Sequence, residues 1–269
     1  MELQLHGRRA LVTGSSSGIG RAIALGLARE GVAVVVHGRD AARAQVTVDA
    51  VVAAGGKAVA VVGDLTDDEA VQRVAAEATS AFGGIDILVN NAASAGSDDG
   101  GWTAGGPGEW LGLYDTNVAS AVRLIGALAP SMREARWGRI IQIGSAAHPF
   151  PLPMKAAYSA AKAALANLTV SLSKDLAATG VTANTISPGP TSTDGFREFA
   201  LDFGRHHGMG SDADAATRAL IDGPLANPSG RLTEPDEIAA LVALVASPLG
   251  ASINGANLRI DGGFTPTVN

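Results

Sequence analysis

Residues 10 to 20 read Ala-Leu-Val-Thr-Gly-Ser-Ser-Ser-Gly-Ile-Gly, which is the order of a short strand, a glycine-rich turn and the start of a helix. A helical pattern continues from about Arg21 to Glu30. Glycines at 14, 18 and 20 permit a tight turn, a close approach of the backbone to a pyrophosphate, and close packing of the helix on the strand. The first N–H groups of the helix would face the same anion. A purely structural turn and a methyltransferase loop are competing interpretations, but the position between the first strand and the first helix favours dinucleotide binding.

The order of strand followed by helix repeats along the chain. Later buried strands are predicted over Val32–His37, Ala58–Val62, Ile87–Val89, Ile140–Ile143, Thr182–Ser187 and Asn257–Ile260. This alternation predicts an α/β fold with a doubly wound, seven-stranded parallel sheet, right-handed crossovers and helices on both faces. We expect a single domain over residues 1–269.

The composition narrows the classes of function. The 269 residues carry a net charge of -6 and no basic run longer than Arg8-Arg9, which argues against binding to nucleic acid. The chain has no cysteine, which excludes disulfides and thiolate metal sites, and the adjacent His206 and His207 favour a solvated pair over a metal site. The longest apolar runs are far shorter than a bilayer span, and Met1–Ala10 lacks the apolar core of a signal peptide. We therefore expect a soluble, cytoplasmic protein with no metal and no membrane contact.

The tip of the second predicted strand bears on the choice of cofactor. Gly38 stands where an acidic side chain would favour the free 2′-hydroxyl of NAD, and Arg39 follows as a cation that can neutralise a 2′-phosphate. These residues favour NADP(H) over NAD(H). NAD(H) stays open, because Arg39 can equally be a solvated side chain beside a helix capped by Asp40. Furthermore, Ser15 to Ser17 bring no second basic residue into the glycine turn.

A tyrosine and a lysine four residues apart form a candidate catalytic pair. Tyr158 and Lys162 lie in a predicted helix from about Lys155 to Ala178, so their spacing puts the phenol and the ammonium on one face. A phenol titrates near pH ~10, whereas a general acid at neutral pH needs a pKa nearer ~7. The site must therefore stabilise the phenolate by roughly 4 kcal/mol, and the positive charge of an ammonium has the right sign to do so. Ser145 follows the strand that ends at Gly144 and can lie beside the start of this helix. Taken alone, such a pair is more often a partly buried ring and a solvated charge.

Several motifs in a fixed order resemble those of the classical short-chain dehydrogenases/reductases. The family pattern comprises Thr-Gly-x-x-x-Gly-x-Gly, Asn-Asn-Ala-Gly, a helix asparagine, a serine and Tyr-x-x-x-Lys. Here the pattern is carried by Thr13–Gly20, Asn90–Ala93, Asn117, Ser145, and Tyr158 with Lys162. One departure is Ala93 in place of the final glycine, which removes no reacting group. The resemblance runs nearly end to end and implies a Rossmann-fold oxidoreductase of the 3-oxoacyl-carrier-protein reductase type.

The resemblance also implies roles for individual residues. Tyr158 would exchange a proton with the substrate oxygen, Lys162 would lower the phenol pKa and hold the nicotinamide ribose, and Ser145 would bond the carbonyl oxygen. Asn117, in a predicted helix from Glu109 to about Arg136, would hold a water that links Lys162 to solvent. Cofactor contacts are expected from Gly14, Ser16, Ser17, Gly18, Ile19, Gly20, Arg39, Asp64, Leu65, Asn91, Ala92, Tyr158, Lys162, Pro188, Gly189 and Thr193. Substrate contacts are expected from Ser145, His148, Phe150 and Tyr158. A packed or solvated role for His148 and an ordinary turn role for Asp64 are open alternatives.

Two segments are expected to surround the substrate. The glycine-rich run Ser94–Gly108, with Asp98, Asp99 and Trp102, would form part of the rim, although a disordered surface loop is nearly as good an interpretation. Residues 194–230 correspond to the mobile lid of the family. The resemblance further implies a homo-oligomer, by default a tetramer.

The expected function is hydride transfer between NADP(H) and a carbonyl or secondary alcohol of a small molecule, with ketone or 3-oxoacyl reduction favoured. An NAD-dependent secondary alcohol dehydrogenase is the main alternative. A non-catalytic NADP-sensing regulator is a second alternative, but it would have no need of Ser145, Tyr158 and Lys162.

Overall fold

The computed structural model describes residues 2–96, 102 and 106–268. Asp98 and Asp99 of the expected rim loop lie outside the described residues, and the described Trp102 is exposed and packs on Trp110. The strands are β1 (Arg9–Val12), β2 (Ala33–Gly38), β3 (Lys57–Val62), β4 (Ile87–Asn90), β5 (Gly138–Ile143), β6 (Val181–Pro188) and β7 (Asn257–Ile260). The helices are α1 (Gly18–Arg29), α2 (Ala41–Ala53), α3 (Asp68–Phe82), α4 (Pro107–Tyr114), α5 (Ser120–Glu134), α6 (Ala156–Asp175), α7 (Asp194–His206), α8 (Ala213–Ile221) and α9 (Pro235–Ala246).

The seven strands form one parallel sheet in the order β3-β2-β1-β4-β5-β6-β7. The chain builds outward from β1 to β3, returns to β4 on the other side of β1, and builds outward again. Ligands of such sheets bind beyond the carboxyl ends of the strands, at the point where the order reverses. The topology therefore places the expected site above β1 and β4, and it confirms the predicted seven-stranded Rossmann-type fold.

Each face of the sheet is covered by its own apolar core. One face presents alternate strand residues such as Val12 and Val36 to α1 and α9, and the other presents Leu11 and Leu88 to α3 and α5. Because both faces are buried, a central strand such as β5 is buried at every position. The near-continuous apolar runs in the sequence follow directly from this burial.

The helix predicted over Glu109–Arg136 is interrupted. A single π turn over Asp115–Ala119 separates α4 from α5 and contains Asn117. The Asn117 Nδ2 atom donates to the carbonyl oxygens of Leu113 and Ser94, each at 2.9 Å. An amide that competes for backbone carbonyls is uncomfortable inside a regular helix, and π turns occur where such competition is accommodated.

The helix around the candidate catalytic pair is shorter than predicted at its carboxyl end. It ends at Asp175, and Ala178 has a φ of 60°, which no right-handed helix allows. The turn formed there leads the chain into β6. The catalytic end of the helix is unaffected.

The segment over 194–230 contains two helices, α7 and α8, with a small apolar core of their own. Ala200, Ala216 and Leu220 are buried at its centre, and Phe196, Phe199, Phe203 and Leu225 pack around them. The two ends of the segment are joined by an isolated parallel bridge between Thr191 and Thr233. The segment is thus a compact unit attached through a narrow base. No helix in the described ranges is both long and apolar enough to cross a lipid bilayer.

Candidate active site

The glycine turn after β1 is held in place from β4. The Thr13 Oγ1 atom accepts hydrogen bonds of 2.9 Å from the backbone N–H groups of Asn91 and Ala92. The Asn91 Nδ2 atom donates to the carbonyl oxygens of Thr13 at 2.8 Å and Gly14 at 3.1 Å. Asn91 therefore joins the ends of two adjacent strands, whereas the buried amide of Asn90 has no hydrogen-bond partner in the structure.

Two glycines of this turn cannot carry a side chain. A Cβ atom on Gly14, whose φ is 60°, would lie 2.9 Å from the Cα atom of Ala92. A Cβ atom on Gly20 would lie 2.4 Å from both the carbonyl oxygen of Gly14 and the Asn91 Nδ2 atom. The turn thus brings bare backbone to the carboxyl edge of the sheet, as a pyrophosphate cradle requires.

A cavity of about 630 Å³ opens beside the turn, and we call it the glycine-turn cavity. Its lining includes the predicted cofactor residues Gly14, Ser16, Ser17, Arg39, Asp64, Leu65, Asn91 and Ala92. The Asp64 carboxylate accepts hydrogen bonds from the backbone N–H and the hydroxyl of Thr66, and these bonds lower its pKa. Arg39 lowers that pKa further by its charge. The cavity therefore has both an ionised carboxylate and a guanidinium group, that of Arg39, among its lining residues.

The remaining predicted cofactor residues are distributed around this cavity. Gly18 and Thr193 line an adjoining cavity of about 810 Å³ over the amino terminus of α1, the α1 cavity, and the Thr193 Oγ1 atom also caps α7 through Phe196 N–H. Pro188 and Gly189 lie at the end of β6 on the substrate side. Ile19 packs against the core, and Gly20 is buried under the turn. Neither of these two residues is among the described residues that line the two cavities.

His37 in β2 is a site residue that the sequence did not indicate. Its ring is 2% exposed and borders the glycine-turn cavity. Nδ1 accepts from Gly14 N–H at 3.4 Å, which leaves Nε2–H to donate to the Gly63 carbonyl oxygen at 3.2 Å. Burial lowers its pKa from 6.5 to about 4. The neutral ring thus connects the ends of β1 and β3 by hydrogen bonds. This contact could not be predicted from the sequence, because it depends on the pairing of both strands with β2.

The candidate catalytic groups meet where β5 ends and α6 begins. Ser145 follows β5 and borders the same cavity as Tyr158, close enough for its hydroxyl to act on the pKa of the phenol. Lys162 lies one turn further along α6, is 2% exposed, and has its Nζ atom 5.6 Å from the centre of the Tyr158 ring. The Nζ atom donates to the carbonyl oxygen of Ile143 at 2.8 Å. The structure therefore brings the three side chains together.

The electrostatics of this cluster differ in one respect from expectation. Burial lowers the pKa of Lys162 from 10.5 to about 8. Burial also raises the pKa of Tyr158, and the hydroxyl of Ser145 opposes that rise without cancelling it. In this structure Lys162 directs its hydrogen bond to a backbone carbonyl, so lowering of the phenol pKa by the ammonium is not observed.

Asn117 lies behind this cluster. Its Nδ2 atom is fully engaged with backbone carbonyls, as described above, and the side chain is 2% exposed. The Oδ1 atom is buried and has no hydrogen-bond partner in the structure. A buried carbonyl oxygen without a donor is a place where a water molecule is expected.

A cavity of about 510 Å³ lies in front of Ser145 and Tyr158, and we call it the catalytic cavity. Its other walls come from the end of β6, from α7 and from the chain terminus, and include Lys155, Phe196, Glu198, Phe199, Asp202 and Phe264. The expected substrate residues His148 and Phe150 are not among the described lining residues. Phe150 packs edge-on against Phe264 at 5.7 Å, and His148 Nδ1 lies 3.3 Å from the carbonyl oxygen of Ser145. The structure therefore places both beside the cavity wall, and Lys155 and Phe264 are lining residues that the sequence did not indicate.

A doubly wound parallel sheet with a glycine turn, a nucleotide-sized cavity and a Ser-Tyr-Lys cluster defines a dinucleotide-dependent oxidoreductase. A family model described as short chain dehydrogenase matches residues 8–202. The 3-oxoacyl-[acyl-carrier-protein] reductase FabG of Vibrio cholerae is 36% identical over 262 residues, which are 97% of this chain and 99% of that protein. The protein therefore belongs to the short-chain dehydrogenase family and is an oxidoreductase acting on CH–OH or C=O groups with NAD(P).

Solved structures show the same fold over the whole chain. L-sorbose reductase of Gluconobacter frateurii, complexed with NADPH and L-sorbose, matches with a TM-score of 0.93 and 30% identity, covering 100% of both chains. A dehydrogenase/reductase of Sinorhizobium meliloti 1021 matches with a TM-score of 0.80 and 37% identity, covering 98% of this chain and 97% of that one. The similarity includes the segment 194–230 as well as the sheet.

Proposed function

We propose that the protein is an NADPH-dependent reductase of ketones. The observation that carries the proposal is that Ser145 and Tyr158 border one cavity, with the buried Nζ atom of Lys162 lying 5.6 Å from the centre of the Tyr158 ring. A carbonyl oxygen placed in this cavity would meet a proton donor and a second hydroxyl at once. Both groups stabilise the negative charge that develops on that oxygen during reduction.

The proposed roles follow from these positions. NADPH, when bound, supplies a hydride to the carbonyl carbon. The Tyr158 hydroxyl gives its proton to the carbonyl oxygen, so that the ketone gains one hydride and one proton and becomes a secondary alcohol. Ser145 donates a hydrogen bond to the same oxygen and orients it. Lys162, with a pKa of about 8, is charged at neutral pH and stabilises the phenolate that Tyr158 leaves behind.

Proton resupply would involve the π turn that packs against α6. The unpartnered Oδ1 atom of Asn117 is suited to hold a water molecule that connects Lys162 with solvent. The Nδ2 atom of the same amide is occupied by two backbone carbonyl oxygens, so Oδ1 is the acceptor that this side chain has left. We therefore assign Asn117 to the proton relay.

The residues of the glycine-turn cavity fit NADP(H). The carboxyl end of β2 offers Gly38 and Arg39, and the acidic residue that follows, Asp40, lines the same cavity but uses a carboxylate oxygen to cap α2. The similar L-sorbose reductase is described in complex with NADPH. Both observations support NADPH over NADH and reduction over oxidation.

The substrate class is a ketone small enough for the catalytic cavity. A polyhydroxylated ketone is the first candidate, because Glu198 and Asp202 supply hydrogen-bond acceptors to a wall that is otherwise aromatic. A 3-oxoacyl thioester is the second, supported by the FabG relatives that match almost the whole chain.

Initial rates with NADPH and with NADH test the proposal. The substrates are a ketose, a simple methyl ketone and an acetoacetyl thioester, and the corresponding secondary alcohols are tested with NADP and NAD. We expect reduction of at least one ketone with a kcat/KM that is about tenfold or more higher with NADPH than with NADH. Higher kcat/KM with NADH would make an NAD-linked alcohol dehydrogenase the better assignment. Binding of NADPH with no turnover of any substrate would favour the NADP-sensing regulator.

A further inference from the structure

The turn after β7 brings a phenylalanine to the wall of the catalytic cavity. Among the described lining residues, Phe264 is the one that follows Leu225 in the chain, and it is 9% exposed. The other two phenylalanines of the wall, Phe196 and Phe199, lie on α7 with their ring centres 5.9 Å apart. The aromatic part of the wall therefore comes from two separate elements of the fold, α7 and the turn after β7.

Asp261 holds the backbone on both sides of Phe264. The two carboxylate oxygens of Asp261 accept from the N–H groups of Gly263 and Thr265, each at 3.0 Å. The carbonyl oxygen of Asp261 accepts from Phe264 N–H, also at 3.0 Å. Because Asp261 is 8% exposed, these three hydrogen bonds are shielded from competing water. One buried residue thus fixes three consecutive N–H groups of the turn.

The turn is also held by neighbouring backbone. The Gly262 carbonyl oxygen accepts from Ser229 N–H at 3.0 Å. Gly263 has a φ of 83°, and a Cβ atom on it would lie 2.8 Å from the Pro228 Cγ atom. The backbone before Phe264 therefore has close neighbours as well as internal hydrogen bonds, so it cannot easily withdraw from the cavity.

The Phe264 ring contacts the loop that carries Ser145. It packs against the Phe150 ring at 75°, with the ring centres 5.7 Å apart, which is a favourable edge-to-face arrangement. Phe150 N–H donates to the Ala146 carbonyl oxygen at 3.2 Å, so Phe150 is tied to the residue directly after Ser145. These contacts hold the ring without any contribution from α7.

We infer that Phe264, positioned by Asp261, limits the size of one substituent of the ketone, so that this substituent can be no larger than about a methyl group. The inference rests on the proposed function and defines its substrate class more narrowly. A larger substituent directed at the turn would meet a ring that is held from behind, and overpacking such a wall is unfavourable. The second substituent has the rest of the cavity of about 510 Å³ available to it.

Three isomeric ketones, 2-octanone, 3-octanone and 4-octanone, test the inference in steady-state assays with NADPH and the full-length protein. They share one formula, and their smaller substituents are methyl, ethyl and propyl. The variants are Phe264→Ala, the more conservative Phe264→Leu, and Asp261→Asn. Val268→Ala is the matched control, because Val268 lies in the same C-terminal segment and is 96% exposed. Melting temperatures and NADPH dissociation constants verify the fold and the nucleotide site of each variant.

Wild type is expected to reduce 2-octanone with a kcat/KM about tenfold or more above that for 4-octanone. Phe264→Ala should bring this ratio close to one by lowering the KM for 4-octanone, and Phe264→Leu should give an intermediate ratio. Asp261→Asn should also lower the ratio, because an amide keeps one acceptor oxygen for two N–H groups. A purely structural effect would instead lower both kcat/KM values in parallel. Val268→Ala should leave the ratio unchanged.

The outcomes separate the inference from the proposed function. Equal reduction of 2-octanone and 4-octanone by wild type overturns the inference, as does an unchanged ratio in both Phe264 variants, and the proposed function then stands. An unchanged ratio in Asp261→Asn overturns the positioning role of Asp261. Reduction of a ketose but of none of the octanones by wild type also overturns the inference, because methyl ketones then lie outside the substrate range. Failure to reduce any ketose, methyl ketone or acetoacetyl thioester overturns the proposed function itself.

Discussion

The Nζ atom of Lys162 lies 5.6 Å from the centre of the Tyr158 ring and donates a 2.8 Å hydrogen bond to the carbonyl oxygen of Ile143. The ammonium is therefore buried against a carbonyl dipole at the end of β5, with its charge beside the phenol. A buried cation that has a dipole but no carboxylate as its partner is costly to the fold. This cost appears as the lowered pKa of Lys162, about 8.

Replacing Lys162 by Met should remove a pH dependence of stability. Between pH 8, where the folded protein releases the proton, and pH 10.5, where the unfolded chain does, the unfolded state binds more protons. The free energy of unfolding of wild type relative to Lys162→Met should therefore rise with pH through this window, by as much as about 3 kcal/mol. Urea unfolding at a series of pH values measures the difference. Lys174→Met on the exposed side of α6 is the control, and the same pH dependence in both variants would contradict the prediction.

Replacing Tyr158 by Phe should abolish turnover while leaving the nucleotide site intact. Loss of a general acid costs about 10²- to 10⁴-fold in kcat. Steady-state rates and NADPH binding, measured on the same preparation, check both parts. Tyr114→Phe is the matched control, because Tyr114 is the only other tyrosine and is 49% exposed. Retained turnover in Tyr158→Phe would refute the assignment of the proton donor.

Replacing Gly20 by Ala should damage the glycine turn. The new Cβ atom would lie 2.4 Å from the backbone oxygen of Gly14, which cannot move aside as a flexible side chain can. We expect a loss of about 2 kcal/mol in unfolding free energy and at least tenfold weaker cofactor binding. Gly112→Ala in α4 is the control, since outside the backbone of its own helix no atom of the described residues lies within 4 Å of its Cβ position, and it should stabilise the protein by up to about 1 kcal/mol. Similar melting temperatures for the two variants would count against the close contact at Gly20.

Replacing His37 by Gln should change stability at acid pH. Burial lowers the pKa of His37 from 6.5 to about 4, so in this window the unfolded chain takes up a proton that the folded protein refuses. Wild type should therefore lose stability relative to His37→Gln as the pH falls from 6.5 to 4, by as much as about 3 kcal/mol. Chemical unfolding followed by circular dichroism measures this. His206→Gln in the exposed part of α7 is the comparison, and parallel curves for the two variants would exclude the buried neutral ring as the cause.

The sheet could be predicted because its strands are buried on both faces and read as short apolar runs between glycine and polar segments. All seven predicted strands are present, with boundaries shifted by one or two residues in most cases. The prediction of one continuous helix through Asn117 was wrong, because a π turn interrupts the helix there. A π turn depends on where the Asn117 amide finds carbonyl oxygens, and one of these, that of Ser94, lies in another segment.

The site could be predicted only where a residue belongs to a motif. The glycine turn and the Ser-Tyr-Lys cluster carry their own spacing, and the structure brings them to one edge of the sheet. His37 reaches the site through strand pairing, Lys155 through the turn before α6 and Phe264 through the segment after β7, so no local pattern marks them. His148 and Phe150 are not among the described lining residues of the catalytic cavity although they follow Ser145 closely in sequence, so their contact with substrate stays a prediction. The roles of the catalytic residues, the tetramer and the cytoplasmic location stay predictions.

The apolar centre formed by Ala200, Ala216 and Leu220 gives the segment 194–230 its own source of folding energy. An exposed residue such as Glu198 can therefore be exchanged without repacking this centre or either side of the sheet. Selectivity for a particular ketone can diverge in this segment while hydride transfer is preserved beneath it. Libraries that aim at new substrates should accordingly vary α7 and leave the strand ends untouched.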